Sequence, residues 1–304
     1  MKPRPMLPFL ALPLIATLAF NSCSRSVADD ANLTEEQMRA LLLGSVIPML
    51  NSGLDAALRF SVPGTRPGHA RNLLADSWDI TGREQTLDTM SSLSTGNGQG
   101  AVANDIFDLF IKNGIAGELT TESLYDFYDY INIDNAQALW QSSINRAIPQ
   151  MEEFIKTEGL PEDEAEDVLW AFADMVFVNI ANNGIAGYSA GRAFLESLGY
   201  TRAELSAIDD FRAWDYGCAG LIGRYGTLAG FVEPADVWPY MIAAANNAGK
   251  IYDDWRQFLA AYFLGRSIAF SDEGLADFRD VADYLLNDDD SPLRRVPFGP
   301  VPFR

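Results

Sequence analysis

From residue 34 onward, apolar residues recur at spacings of three and four, and no stretch alternates apolar with polar residues long enough to make a strand. The periodic segments predict helices at about 35–52, 70–77, 82–93, 100–113, 121–131, 135–157, 161–183, 189–198, 202–225, 234–248, 254–270 and 272–286. Their starts carry capping chemistry. Thr34 stands three residues before Gln37, Thr81 before Glu84, Asp134 before Gln137 and Thr201 before Glu204. In such a pair the first side chain accepts from an orphan amide and the second reaches back to the cap's own N–H. Pro161 ahead of Glu162, Asp163 and Glu164 puts proline and acids in a first turn, where the helix dipole favours them. The predicted fold is all-α, a compact domain of short helices joined by glycine-containing turns.

The turns themselves look related. Asn113-Gly114-Ile115-Ala116-Gly117 recurs as Asn183-Gly184-Ile185-Ala186-Gly187, with a looser copy in Gly226-Thr227-Leu228-Ala229-Gly230. Each is expected to end one helix at a glycine and begin another, as a helix-turn-helix corner. A phosphate-holding loop would need a preceding strand and a basic grip, and the sequence supplies neither. Segment 61–69, with two prolines and two glycines, reads as a surface loop carrying the lone His69.

On a helix from Phe211 to Tyr225, the residues Phe211, Trp214, Cys218, Leu221 and Tyr225 form one apolar stripe, with Asp215 at its margin. A carboxylate in that position needs a partner or suffers a raised pKa. Farther along, Trp255, Leu259, Tyr262 and Arg266 share a face, so the sequence suggests that Asp215 meets Arg266 across packed helices, with Arg212 as the local alternative.

These residues carry a resemblance. The block from Trp214 to Phe270 resembles the bacterial family known as domain of unknown function 1266, with its aromatic-Asp pair, glycine-led helix start, Trp-x-x-Phe segment and closing Tyr-x-x-Gly-Arg. The matching positions are Trp214, Asp215, Gly230, Trp255, Phe258, Tyr262, Gly265 and Arg266, and upstream Trp78 with Ile80 and Glu84 is similar to an earlier segment. The likeness runs from Leu73 to Phe270. Where the family often has arginine three residues after the aspartate, this chain has Cys218. The resemblance implies no reaction, cofactor or catalytic residue.

Composition narrows the setting. The formal charge is −20 over 304 residues, which repels phosphate backbones and argues against a nucleic-acid partner. Residues 1–22 read as a lipoprotein-type signal peptide: Lys2 and Arg4, an apolar run from Met6 to Phe20, then Phe20-Asn21-Ser22-Cys23 in the manner of a lipobox. Cys23 is then the lipidated residue, giving a membrane anchor at the cell envelope, on an outer membrane or periplasmic face if there are two membranes. Cleavage after Ser26-Val27-Ala28 would instead give a secreted or periplasmic soluble protein, and an uncleaved segment would be a retained anchor. Residues 23–33 follow as a tether, 34–286 as the helical domain with its signature at 214–270, and 287–304 as a proline-rich tail, extended on the surface or mobile. No other stretch approaches the apolar length of a membrane span. With only Cys23 and Cys218, a disulfide framework is excluded and Cys218 is expected to be buried.

Chemistry is thin. One histidine cannot build a His-based zinc site, no serine lies in a nucleophile-elbow pattern, and a Ser-His-Asp triad would have to use the loop residue His69, so no metal, cofactor or catalytic residue is assigned. Asp215, Glu233, Asp236, Asp253 and Asp254 would allow paired-carboxylate hydrolysis of a glycan, although Glu233, Asp236 and Asp253 or Asp254 stand where helix starts need them. The acidic runs 162–167 and 288–290 lack calcium-loop spacing. Six tryptophans spread along the helices read as packing core rather than a sugar groove. The leading reading is a lipid-anchored envelope protein with a non-catalytic binding or protein-interaction role, directed at another envelope protein. The alternatives are an envelope glycan hydrolase and an inhibitor or immunity-type protein.

Overall fold

The computed structural model describes residues 33–114, 119–120, 137–159, 161–271 and 274–299. Those residues form twelve α-helices with short 3-10 turns and no strand. In chain order they are α1 (Glu35–Leu43), α2 (Val46–Ser52), α3 (Pro67–Trp78), α4 (Arg83–Ser94), α5 (Gln99–Ile106), α6 (Gln137–Glu158), α7 (Glu162–Ser197), α8 (Arg202–Ser206), α9 (Ala213–Ala229), α10 (Pro234–Ala248), α11 (Trp255–Phe270) and α12 (Arg279–Asn287). A π-helical turn, Phe107–Ile111, extends α5. The helix anticipated at 121–131 and the Asp134 cap lie outside the described residues.

Local capping sets several starts. Thr34 Oγ1 accepts from the Gln37 amide at 3.2 Å while Gln37 Oε1 accepts from the Thr34 amide at 2.9 Å, and Thr201 with Glu204 repeats the arrangement. The pair expected at Thr81 and Glu84 does not form. Helix α4 begins one residue later, with Gly82 at its N-cap, so Gln85 rather than Glu84 reaches back to the Thr81 amide at 3.2 Å. The predicted loop 61–69 is also shorter than expected: Pro67 opens α3, and His69 is an exposed residue of its first turn.

The largest departure concerns Gly184. Instead of a corner at residues 183–187, α7 runs unbroken from Glu162 to Ser197. Gly187 serves tertiary packing there: a Cβ on it would lie 1.8 Å from the Ser267 carbonyl oxygen of α11. The part of α7 from Asp167 to Ser197 is long and apolar enough to cross a membrane by length and composition, contrary to the sequence expectation, which had cut this helix in two. In this fold α7 packs along α11 on one side and α6 on the other.

Helix α9 is the axis of the domain. Nearly every residue from Ala213 to Gly226 is buried, with α1, α3, α4, α10 and α11 around it. A helix enclosed on all sides needs small residues where neighbours cross, and Gly220 lets Gly44 approach so closely that a Cβ on Gly44 would stand 2.6 Å from Gly220 Cα. Gly230 ends α9 in the left-handed region at φ 77°. The C-terminal segment through Gly299 is docked on the domain: after a 3-10 turn, Pro292–Arg294, Val296 and Phe298 are buried.

Candidate functional site

Trp214, Tyr262 and Gly265 of the signature meet at the crossing of α9 and α11, while Gly230 stands at the far end of α9. Trp214 lies tilted on Tyr262 with ring centroids 5.1 Å apart and edge-on to Phe270 at 5.6 Å. Gly265 permits α11 to pass the start of α9, since a Cβ on it would be 2.7 Å from the Phe211 carbonyl oxygen. Phe258 and Tyr262 are buried, Trp255 opens α11 with its indole in the core, and Trp78 closes α3 half-buried, away from the crossing.

Asp215 does not meet Arg266. Its carboxylate, wholly removed from solvent, accepts from the Gly98 amide at 3.0 Å and the Gly100 amide at 2.8 Å. These amides open α5, whose N-cap, Gly98, has no side chain to cap it. Asp215 therefore supplies from α9 the cap that α5 lacks, and its negative charge sits at the positive end of that helix. The approach requires glycine at both positions, because a Cβ on Gly98 would be 2.6 Å from Asp215 Oδ1 and one on Gly100 would be 2.8 Å from Asp215 Oδ2.

Capping runs both ways. The Asn104 side chain of α5 accepts from the Phe211 amide at 2.7 Å, just ahead of α9, and Tyr252 Oη accepts from the Ala213 amide at 2.9 Å. Arg212, the local alternative partner, forms its ion pair with Asp210. The Arg266 guanidinium instead lies over the Phe278 ring, 4.7 Å from its centroid.

Burial pushes the Asp215 pKa up to about 6, against the opposing pull of the Gly100, Gly98 and Ala101 amides. A carboxyl whose folded pKa exceeds its unfolded value of 3.8 holds its proton longer in the native state. The native chain then binds more protons between those values, so the contribution of this group to stability falls as pH rises from about 4 to about 6 and is constant above. Thermal unfolding of the protein and of Asp215→Asn across pH 4 to 7 is expected to show the wild-type advantage shrinking over that interval. An advantage that grows with pH would mean that the amides, not burial, dominate. Burial also pushes the Cys218 thiol well above its usual range, which makes it an inert core residue.

The remaining acids of the block are helix-start groups. Asp236 accepts from the Glu233 amide at 3.0 Å and bonds Arg83 at 2.8 Å, and Asp254 caps α11 by accepting from the Gln257 amide at 2.7 Å. Among the described residues, no three His, Cys, Asp or Glu side chains gather as they would around a metal ion. A shallow groove of about 320 Å³ lined by Leu54, Asp280, Asp283, Tyr284, Asn287 and Asp288 lies away from the signature. Sequence reasoning missed Arg224. It is buried in α9, donates to the Ala56 carbonyl at 2.6 Å and holds the turn after α2; as the one basic residue of a helix that carries no other charge but Asp215, it gave a signal of its own.

A family model described as a protein of unknown function, DUF1266, matches residues 73–298. The chain belongs to the DUF1266 family. The match begins within α3 and runs through the docked C-terminal segment, and so includes all the signature residues placed above. Neither a curated protein nor a solved structure gives a significant match. Within DUF1266 this chain spends its most recognisable residues on a helix crossing and on mutual helix capping.

Proposed function

We propose that this DUF1266 protein is a lipid-anchored component of the cell envelope that works as a non-catalytic protein-interaction module. What supports the reading is the employment of the signature acids. Asp215, Glu233, Asp236 and Asp254 each hold a helix start, which leaves Asp253 alone of the five candidate acids and so no carboxylate pair in the block to act on a substrate. An exposed aromatic face on the α6–α7 pair supports the binding role. Trp140 and Trp170 stack with centroids 6.0 Å apart and planes 10° from parallel, and Trp170 is 45% exposed.

The interaction is tested by placing a photo-crosslinking residue at 170 and comparing envelopes that carry it with envelopes that carry Trp170→Asp. A discrete protein adduct that a purified copy of the captured partner reproduces, and that Trp170→Asp weakens at least tenfold in affinity, is the expected result. Release of soluble fragments from purified cell-wall glycan, lost in Asp236→Asn, would replace this reading with the hydrolase.

The anchor is tested separately, since Cys23 lies outside the described residues. Palmitate label is expected on the wild-type chain and not on Cys23→Ala, which should leave the membrane fraction. A mature N-terminus at Asp29 without lipid would end the lipoprotein reading.

A further inference from the structure

The docked C-terminal segment occupies a groove with defined chemistry. Trp255 Nε1 donates to the Val296 carbonyl oxygen at 2.7 Å within the core. The Phe298 ring packs edge-on against Trp255 with centroids 4.8 Å apart and tilted against Phe258 at 5.7 Å. Arg39 of α1, itself buried, donates to the Gly299 carbonyl oxygen at 3.1 Å and to Asn246 Oδ1 at 3.3 Å. The groove thus reads a buried valine, that valine's carbonyl, a phenyl ring two residues later, and the carbonyl after it. Proline between valine and phenylalanine fixes φ and suits an extended strap that donates no N–H there.

The chain carries this pattern twice. Val296-Pro297-Phe298-Gly299 is followed by Pro300 and then Val301-Pro302-Phe303-Arg304, the second copy lying outside the described residues. Only two of the groove's four readings depend on side chains, and both copies supply valine and phenylalanine there. The other two are backbone carbonyls, which any residue provides.

We propose that the groove formed by Trp255, Phe258 and Arg39 is a receptor for Val-Pro-Phe segments, and that segment 301–303 of the same chain is its second occupant, in exchange with 296–298. Moving to the second copy leaves the α12 end in place and lengthens the connection by the five residues separating the two valines. Loop closure makes that a minor penalty, because its cost rises only logarithmically with length. Both segments are tethered, so their effective concentration at the groove far exceeds that of a segment on another molecule. The fold therefore holds a strap with two settings, which differ in the slack between α12 and the groove.

The test is the protection of the Trp255 indole N–H from hydrogen exchange in the full-length protein, its resonance assigned with Trp255→Phe. With two interchangeable occupants, Phe298→Ala should accelerate that exchange only about threefold and Phe303→Ala less than twofold, since the other segment refills the groove. The double variant should accelerate it on the order of a hundredfold, the loss expected when no phenyl ring remains to bury. A hundredfold acceleration in Phe298→Ala alone would overturn the proposal, and it decides the matter even if the double variant fails to fold. Exchange rates in Phe298→Ala that fall with increasing protein concentration would also overturn it, by assigning the second occupant to another molecule.

Discussion

Asp215→Ala is expected to destabilise the fold by about 2–4 kcal/mol. The substitution strips the Gly98 and Gly100 amides of their acceptor inside the core, and each buried donor left unmade costs about 1–3 kcal/mol. Loss of the carboxylate's own desolvation penalty offsets part of that. For a domain of this size the change corresponds to a fall of roughly 5–15 °C in melting temperature. Asp215→Asn keeps one acceptor oxygen and should lose about half as much as alanine by the same reckoning. Arg266→Ala acts elsewhere, through the contact with Phe278, so the double variant should be additive within about 0.5 kcal/mol. Strong non-additivity would restore the ion pair that the sequence suggests. Unchanged or raised stability in Asp215→Ala would mean that the residue is kept for a ligand at the expense of the fold, and it would return to the head of any search for a site.

The contrast between Asp215 and the helix starts shows what the sequence made legible. Thr34 and Thr201 were readable because a capping box is closed within four residues and both partners are side chains of recognisable type. The Asp215 partner was not, because backbone amides leave no residue-type signature. A negative signal existed: α5 begins at Gly98-Gln99-Gly100 with no capping side chain, and a buried helix start without a local cap must borrow an acceptor. The all-α class was legible for the same local reasons. The docked segment was not, since Val296 and Phe298 follow no period and declare themselves only through the groove that receives them. Gly184 and Gly187 misled in the opposite direction. Inside a helix, glycine reads locally as a stop, and only the neighbouring helix explains why it is there.

That neighbour gives the other large expected effect. Gly187→Ala should lower stability by about 3 kcal/mol or more, although alanine is worth roughly 1 kcal/mol more than glycine in an isolated helix. The added methyl would stand 1.8 Å from the Ser267 carbonyl oxygen and 2.6 Å from the carbon that bears it, so backbone has to move. α11 cannot shift freely, because Gly265 of the same helix is seated against Phe211, just ahead of α9, and Tyr262 against Gly217 within it. The displacement would therefore reach the crossing that carries the signature. Gly184→Ala provides the control one turn away. Its methyl would meet Ile106 Cδ1 and Cγ2 at 2.8 and 2.9 Å and Ile268 Cγ2 at 3.2 Å, side chains that repack more readily than a backbone carbonyl moves. That variant should fall within about 1 kcal/mol of wild type, with the gain in helix propensity set against modest repacking. Denaturant unfolding of the two variants separates the explanations. Equal and small losses would mean that α7 and α11 slide over one another with ease, and the close approach at Gly187 would then not be what holds the long helix in place.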